Sequence, residues 1–195
     1  MSLPRFSSIP ASVLLLVFVS GAVSVAYGVY ARPLLDAERE RDAGRLDAAL
    51  QAYALAEARF GRVGVTGQLD GIGYGAAVGN QLALLYRTGR YEAVVQKAST
   101  APPSVSPHFW AGSALLARAL GEPATQPRLV WLTRAEAELK QALEATPNDW
   151  DTKVNYEVAA RLLADLRRQP TKKSAESLQI LRPQPGPTPP TRKAG

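Results

Sequence analysis

Apolar positions divide the chain into three parts. From Ile9 to Ala31 they form a nearly unbroken run, IPASVLLLVFVSGAVSVAYGVYA, and no charged residue occurs between Arg5 and Arg32. About 20 such residues at roughly 1.5 Å each match a hydrocarbon core ~30 Å thick. A single segment crosses lipid only as a helix, because lipid offers no partner for backbone polar groups. The run predicts a transmembrane helix over 9–31, preceded by a short segment 1–8. Pro10 suits a first helical turn, and Tyr27 and Tyr30 suit the interface at the far end. A cleaved signal peptide is the competing reading, since Ser24-Val25-Ala26 and Val29-Tyr30-Ala31 place small residues at cleavage-like spacing. The run exceeds the usual ~7–15 apolar residues of such a signal, which favours an anchor that stays.

Residues 32–168 switch to helical periods. Leu132, Ala135, Leu139, Ala142 and Leu143 fall at steps of three and four, as do Val154, Val158, Leu162, Leu163 and Leu166; such stripes mark one buried helix face. Shorter stripes are Val78, Leu82, Leu85 and Tyr91, Val94, Val95, Ala98. Breakers lie between them: Gly89, Gly121-Glu122-Pro123 and Thr146-Pro147-Asn148. Asn148 or Asp149 is placed to cap the last helix. No convincing period-two strand occurs, so the expected fold is all-α.

A repeat is also present. Gly44-Arg-Leu46-Asp-Ala-Ala49-Leu-Gln-Ala-Tyr53-Ala-Leu-Ala56 has the order glycine turn, large, small, aromatic, small. This is the second-helix pattern of a tetratricopeptide repeat. Gly89-Arg-Tyr91-Glu-Ala-Val94 begins it again, and Leu139, Ala142, Leu143 and Pro147 match a third time. Small residues let two antiparallel helices approach, and each pair buries its remaining apolar face on the next. The two glycine turns are 45 residues apart rather than 34, so the expectation is a TPR-like domain of degenerate repeats over 32–168. The glycine-rich stretch 60–79 reads as a long loop or an irregular helix start.

Two stretches carry a family resemblance. Asn80-Gln-Leu-Ala-Leu-Leu-Tyr86-Arg-Thr-Gly-Arg-Tyr91-Glu-Ala resembles a segment of single-pass TPR proteins encoded beside MoxR ATPases and von Willebrand A-domain proteins. Pro147-Asn-Asp-Trp-Asp-Thr-Lys-Val-Asn155-Tyr156-Glu157, followed by Arg161-Leu-Leu, resembles a second segment of the same proteins. Over residues 10–168 the layout is similar to the MxaK family, with the BatC-type proteins of stress operons also similar. The resemblance implies an accessory role in methanol dehydrogenase maturation, associated with calcium insertion, and a domain on the periplasmic side of the inner membrane. It implies no catalytic residues.

Charge bears on orientation and on the tail. The net charge is +6, and residues 167–195 account for all of it, with seven basic residues against Glu176 alone. Residues 1–166 balance, so the folded part is not a basic nucleic-acid binder, and no nucleic acid partner is expected. Arg5 precedes the apolar run while Arg32, Arg39, Arg41 and Arg45 follow it; the positive-inside rule alone places the domain in the cytoplasm. The short basic head, apolar run and long domain have instead the layout of an uncleaved export signal. Residues 169–195 hold six prolines and few large apolar residues, which predicts a disordered basic tail. A weak contact with anionic lipid is weighed there against a merely solvated terminus.

Candidate chemistry is sparse. With no cysteine and only His108, thiolate sites and multi-histidine sites are excluded. His108 precedes Phe109-Trp110 at a helix start and reads as satisfied or solvent-facing rather than catalytic. Gly71-Ile-Gly73-Tyr-Gly75 lacks the preceding strand that a dinucleotide fingerprint requires. Asp149 and Asp151 have the spacing of a calcium loop, but Lys153 occupies the next ligand position and Ala160 the bidentate one. They read as acids at a helix N-terminus. No cofactor and no metal site is expected. Among Tyr86, Tyr91, Trp110, Trp131, Trp150 and Tyr156 most should pack in the core, with one or two lining a groove for a partner; Tyr86, Tyr91, Trp110 and Tyr156 are the candidates.

The expected function is a membrane-anchored, non-enzymatic protein–protein scaffold. Its expected partners are von Willebrand A-domain or MoxR-system components, or the dehydrogenase itself. A general envelope scaffold is an alternative, as is an enzyme of unrecognised type built from scattered groups such as Asp70, Glu92 and His108.

Overall fold

The computed structural model describes residues 11–62 and 73–180, with side chains as far as Arg168. No strand occurs among them, and the order is helix after helix. The segment 1–8, the stretch 63–72 with Asp70 and Gly71, and the end of the tail at 181–195 lie outside the described residues.

Helix α1, Ala11–Ala26, carries the apolar run. It passes without a break through a π-helical segment, Tyr27–Ala31, into α2, Arg32–Asp42. The helix therefore does not end at Ala31, where the charge pattern set the boundary. Pro33 explains the change of pitch: it has no N–H for the carbonyl of Val29 four residues back, and its ring crowds that carbonyl. The Val29 oxygen instead accepts a hydrogen bond from Arg59 Nη1 at 3.3 Å. The whole helix Ala11–Asp42 is long and apolar enough to cross a membrane. Its apolar side chains are bare, Leu16 at 71% and Phe18 at 74% exposure. The hydroxyls of Ser20 and Ser24 bond back to the carbonyls of Val17 and Ser20, so they add no unsatisfied group.

Beyond α2 come α3 (Leu46–Gly61), α4 (Tyr74–Arg87) and α5 (Tyr91–Ala98). A short 3-10 turn, Pro103–Val105, leads to α6 (Pro107–Leu120), α7 (Thr125–Ala145) and α8 (Trp150–Ile180). Successive helices pack as antiparallel hairpins, each on the next, with α6 against α7 the most extensive pairing. The α2–α3 and α4–α5 turns are built alike. Gly44 and Gly89 have φ of 76° and 71°, a left-handed conformation that favours glycine. Arg45 N–H bonds to Glu40 O and Gly44 N–H to Arg41 O; Arg90 N–H and Gly89 N–H bond to Leu85 O and Tyr86 O in the same pattern. This is the Schellman closure of a helix C-terminus, and it is why the glycine-turn motif recurs in the sequence.

Three core clusters follow the chain. Ala37, Ala49, Tyr53 and Leu84 close the first hairpin onto α4. Val78, Leu82, Val94, Ala98, Ala111 and Ala114 join α4, α5 and α6. Leu115, Leu132, Leu139, Ala159 and Leu163 are among those joining α6, α7 and α8. A small residue sets the spacing of α6 and α7: a Cβ on Gly112 would lie 2.6 Å from Leu139 Cγ. Half-buried polar groups tie the hairpins together. Glu57 of α3 pairs with Lys97 of α5 and accepts from Gln81 Nε2 of α4 at 2.8 Å. Asn155 of α8 donates to buried Ser113 of α6 at 2.9 Å.

Two expectations change. The buried face of α8 is Thr152, Ala159, Leu163 and Leu166, whereas Val154 and Val158 are 41% and 39% exposed. Helix α7 covers only one side of α8, and the face it meets starts at Thr152, a polar residue whose hydroxyl donates to Asp149 just ahead of the helix. A stripe chosen by hydrophobicity alone passes over it. The second change is length: the helical backbone of α8 continues to Ile180, beyond the boundary set at 168.

Candidate functional site

The face formed by α5, α6 and α7 is concave. Tyr91, Glu92 and Val95 come from α5, Ala114, Leu115 and Arg118 from α6, and Trp131 and Arg134 from α7; together they line a mostly apolar cavity of about 120 Å³. Val95 and Arg134 also line a neighbouring cavity of about 520 Å³ with Pro107, His108 and Glu138. The two form one groove across the hairpin stack.

Trp131 is the centre of its narrow end. The guanidinium carbons of Arg118 and Arg134 lie 5.9 and 5.6 Å from its ring centroid, a cation–π arrangement on both counts. Glu92 Oε1 lies 2.8 Å from Arg118 Nε, and the contact is an ion pair whose angle falls short of a directed hydrogen bond. The indole N–H of Trp131 is buried without a partner among the described residues. At the wide end His108 Nδ1 is 2.8 Å from Glu138 Oε2. Charges along the groove thus run acid, two bases, then an acid facing a histidine.

The four sequence candidates divide. Tyr86, Tyr91 and Trp110 come together: Tyr86 packs edge-on against Tyr91 at 5.6 Å and against Trp110 at 6.0 Å between centroids. Of these Tyr91 alone reaches the groove; Tyr86 and Trp110 pack on the α4–α6 core behind it. Burial, with Tyr91 adding to it, raises the Tyr86 phenol above its ordinary pKa. Tyr156 packs on the α6–α8 core instead and does not line the groove. Arg118, Arg134 and Glu138 are absent from the sequence reading, and Trp131 is one of its six aromatics though not one of the four groove candidates. Trp131 and Arg134 are three apart on one helix, which is visible in the sequence, but Arg118 joins them only through the α6–α7 register.

The two arginines beside the indole give this end of the groove a cationic and apolar surface. Asp149 and Asp151 sit at the start of α8, where Asp149 accepts from the Thr152 hydroxyl. Among the described residues no three His, Cys, Asp or Glu side chains gather as metal ligands do. No family profile matches this sequence, and no significant match occurs among curated proteins or solved structures.

Proposed function

We propose that this chain is a membrane-anchored scaffold that grips another polypeptide in the α5–α7 groove. The bare apolar surface of α1 supports the anchor: its nine Val, Leu and Phe side chains would contribute roughly 3–5 kcal/mol to insertion at about 0.3–0.6 kcal/mol each. The groove around Trp131 is the observation that carries the binding role. On this reading the partner presents apolar side chains to Val95, Leu115 and Trp131, and a carboxylate to Arg134.

The finer proposal follows the resemblance of residues 80–93 and 147–163. The repeats are TPR-like, the membrane is the inner membrane, and the domain faces the periplasm. The client is a methanol dehydrogenase or a von Willebrand A-domain or MoxR-system component that acts in calcium insertion. The chain acts by holding proteins and is not itself an enzyme.

Copurification from gently solubilised membranes tests this. The wild-type chain should retain a specific protein, and Arg118→Glu with Arg134→Glu should release it while the helical spectrum stays unchanged. Recovery of a dehydrogenase subunit supports the maturation role; recovery of MoxR-system proteins alone favours a general envelope scaffold. Retention of no protein at all defeats the proposal. A reporter fused after Gly195 should be active only outside the cytoplasm.

A further inference from the structure

A second concave site lies at the other end of the molecule. The open end of the α2–α3 hairpin meets the end of the apolar helix: Tyr30 stacks on Phe60 at 5.3 Å between centroids, and Arg59 reaches the Val29 carbonyl. The C-terminal turn of α3 therefore stands level with residues 27–31. Between the two helices is a cavity of about 370 Å³, with Gly28 at its lower end and Arg32 and Arg59 above it. Leu55 forms part of the wall and is 52% exposed. Asp36 lies at the far end, where it pairs with Arg39 at 3.0 Å. Neither Arg32 nor Arg59 has an ion-pair partner among the described residues, so the cavity has an excess of positive charge.

We infer that this cavity holds the phosphate of an anionic phospholipid, between Arg32 and Arg59, with the acyl chains descending past Gly28 along α1. The inference rests on the proposal that α1 spans a membrane. Guanidinium groups are well matched to phosphate oxygens, in fork geometry and in charge. The order of surfaces favours lipid over a free anion. Moving from α1 upward, the site passes from apolar helix to an open glycine and then to two cations, the same order as chain, glycerol and phosphate. Pro33 has a part in it: by freeing the Val29 carbonyl it gives Arg59 an anchor at that height. The bound headgroup would fix the α2–α3 hairpin at the membrane surface and hold the α5–α7 groove in one orientation.

Native mass spectrometry of the full chain tests this, with equimolar phosphatidylglycerol and phosphatidylcholine offered in mild detergent. Phosphatidylglycerol should be retained at least about fivefold over phosphatidylcholine. Arg32→Gln with Arg59→Gln should bring the ratio to parity, and the paired lysine substitutions should keep most of the preference. Gly28→Leu should also abolish it without unfolding, because a Cβ there meets nothing within 4 Å. Neutralising Arg182, Arg192 and Lys193 of the tail should leave the preference intact. Equal retention of the two lipids, a preference that follows the tail, or displacement by inorganic phosphate each overturns the inference. Vesicle flotation separates the two failures: a chain that floats without headgroup preference loses only this inference, whereas one that does not float loses the anchor and this inference with it.

Discussion

Gly112 and Gly79 make a matched pair for testing the packing. Each is the sixth residue of a 14-residue helix, Gly112 in α6 and Gly79 in α4. Helix propensity alone predicts that alanine stabilises both, by about 0.5–1 kcal/mol. The surroundings separate them. At Gly79 a new Cβ would sit 3.6 Å from Val105 Cγ1, an ordinary contact. At Gly112 it would sit 2.6 Å from Leu139 Cγ and 3.1 Å from the Leu139 backbone nitrogen. Neither atom is the tip of a flexible chain, so relief requires α6 to move off α7. Overpacking of that kind costs about 1–3 kcal/mol. The closeness of the backbone contact puts it in the upper part of that range. After the propensity gain, Gly112→Ala should lose about 1–2 kcal/mol, or roughly 3–6 °C in Tm, and Gly79→Ala should gain roughly 1–3 °C. Thermal unfolding of the full chain in mild detergent, followed by far-UV circular dichroism, reads both. If Gly112→Ala raises Tm as Gly79→Ala does, α6 does not seat on Leu139 and the stacking described above is wrong.

Four further substitutions probe other parts of the stack. Tyr53 is fully buried and its hydroxyl has no partner among the described residues, so Tyr53→Phe should stabilise by about 1 kcal/mol in thermal unfolding. Burial also raises the Tyr53 phenol pKa, against the lowering effect of nearby Arg41. The folded chain then keeps a proton that the unfolded chain has released. Stability is intact below about pH 10 and falls as pH rises through the folded value; Tyr53→Phe should blunt that alkaline loss and leave the part due to Tyr86. For Glu57 and Lys97, about four-fifths buried, a double-mutant cycle with Glu57→Gln and Lys97→Met should give a coupling of about 1 kcal/mol or more, above that of an exposed pair. Asn155→Ala leaves the buried Ser113 hydroxyl without its donor, and urea unfolding should show a loss of about 1 kcal/mol.

The helical fold was legible because its causes are local. Leu132, Ala135, Leu139 and Ala142 are buried as their spacing predicts, and the glycine turns at 44 and 89 announce two hairpins closed in the same way. Where the sequence misled, a contact between distant residues decided. Val154 and Val158 read as core, but the side of α8 that α7 covers is set by Thr152 and Ala159. Of the four groove candidates, one lines the cavity. Tyr91 reaches the groove, while Tyr86 and Trp110 are packing and Tyr156 belongs to another cluster. Aromaticity alone does not separate a residue that supports a groove from one that lines it. Arg118 meets Trp131 only because α6 and α7 pack in one register, and no local pattern records that register.

The anchored helical stack is proposed to grip another polypeptide in the α5–α7 groove. Photo-crosslinking in intact membranes tests it most directly, with a photoreactive residue in place of Tyr91 or Arg134 in the groove and of exposed Glu144 as the control. Both groove positions should give one defined protein adduct, found in the membrane fraction and missing from the control. Adducts absent from the groove positions, or identical at all three, would contradict it.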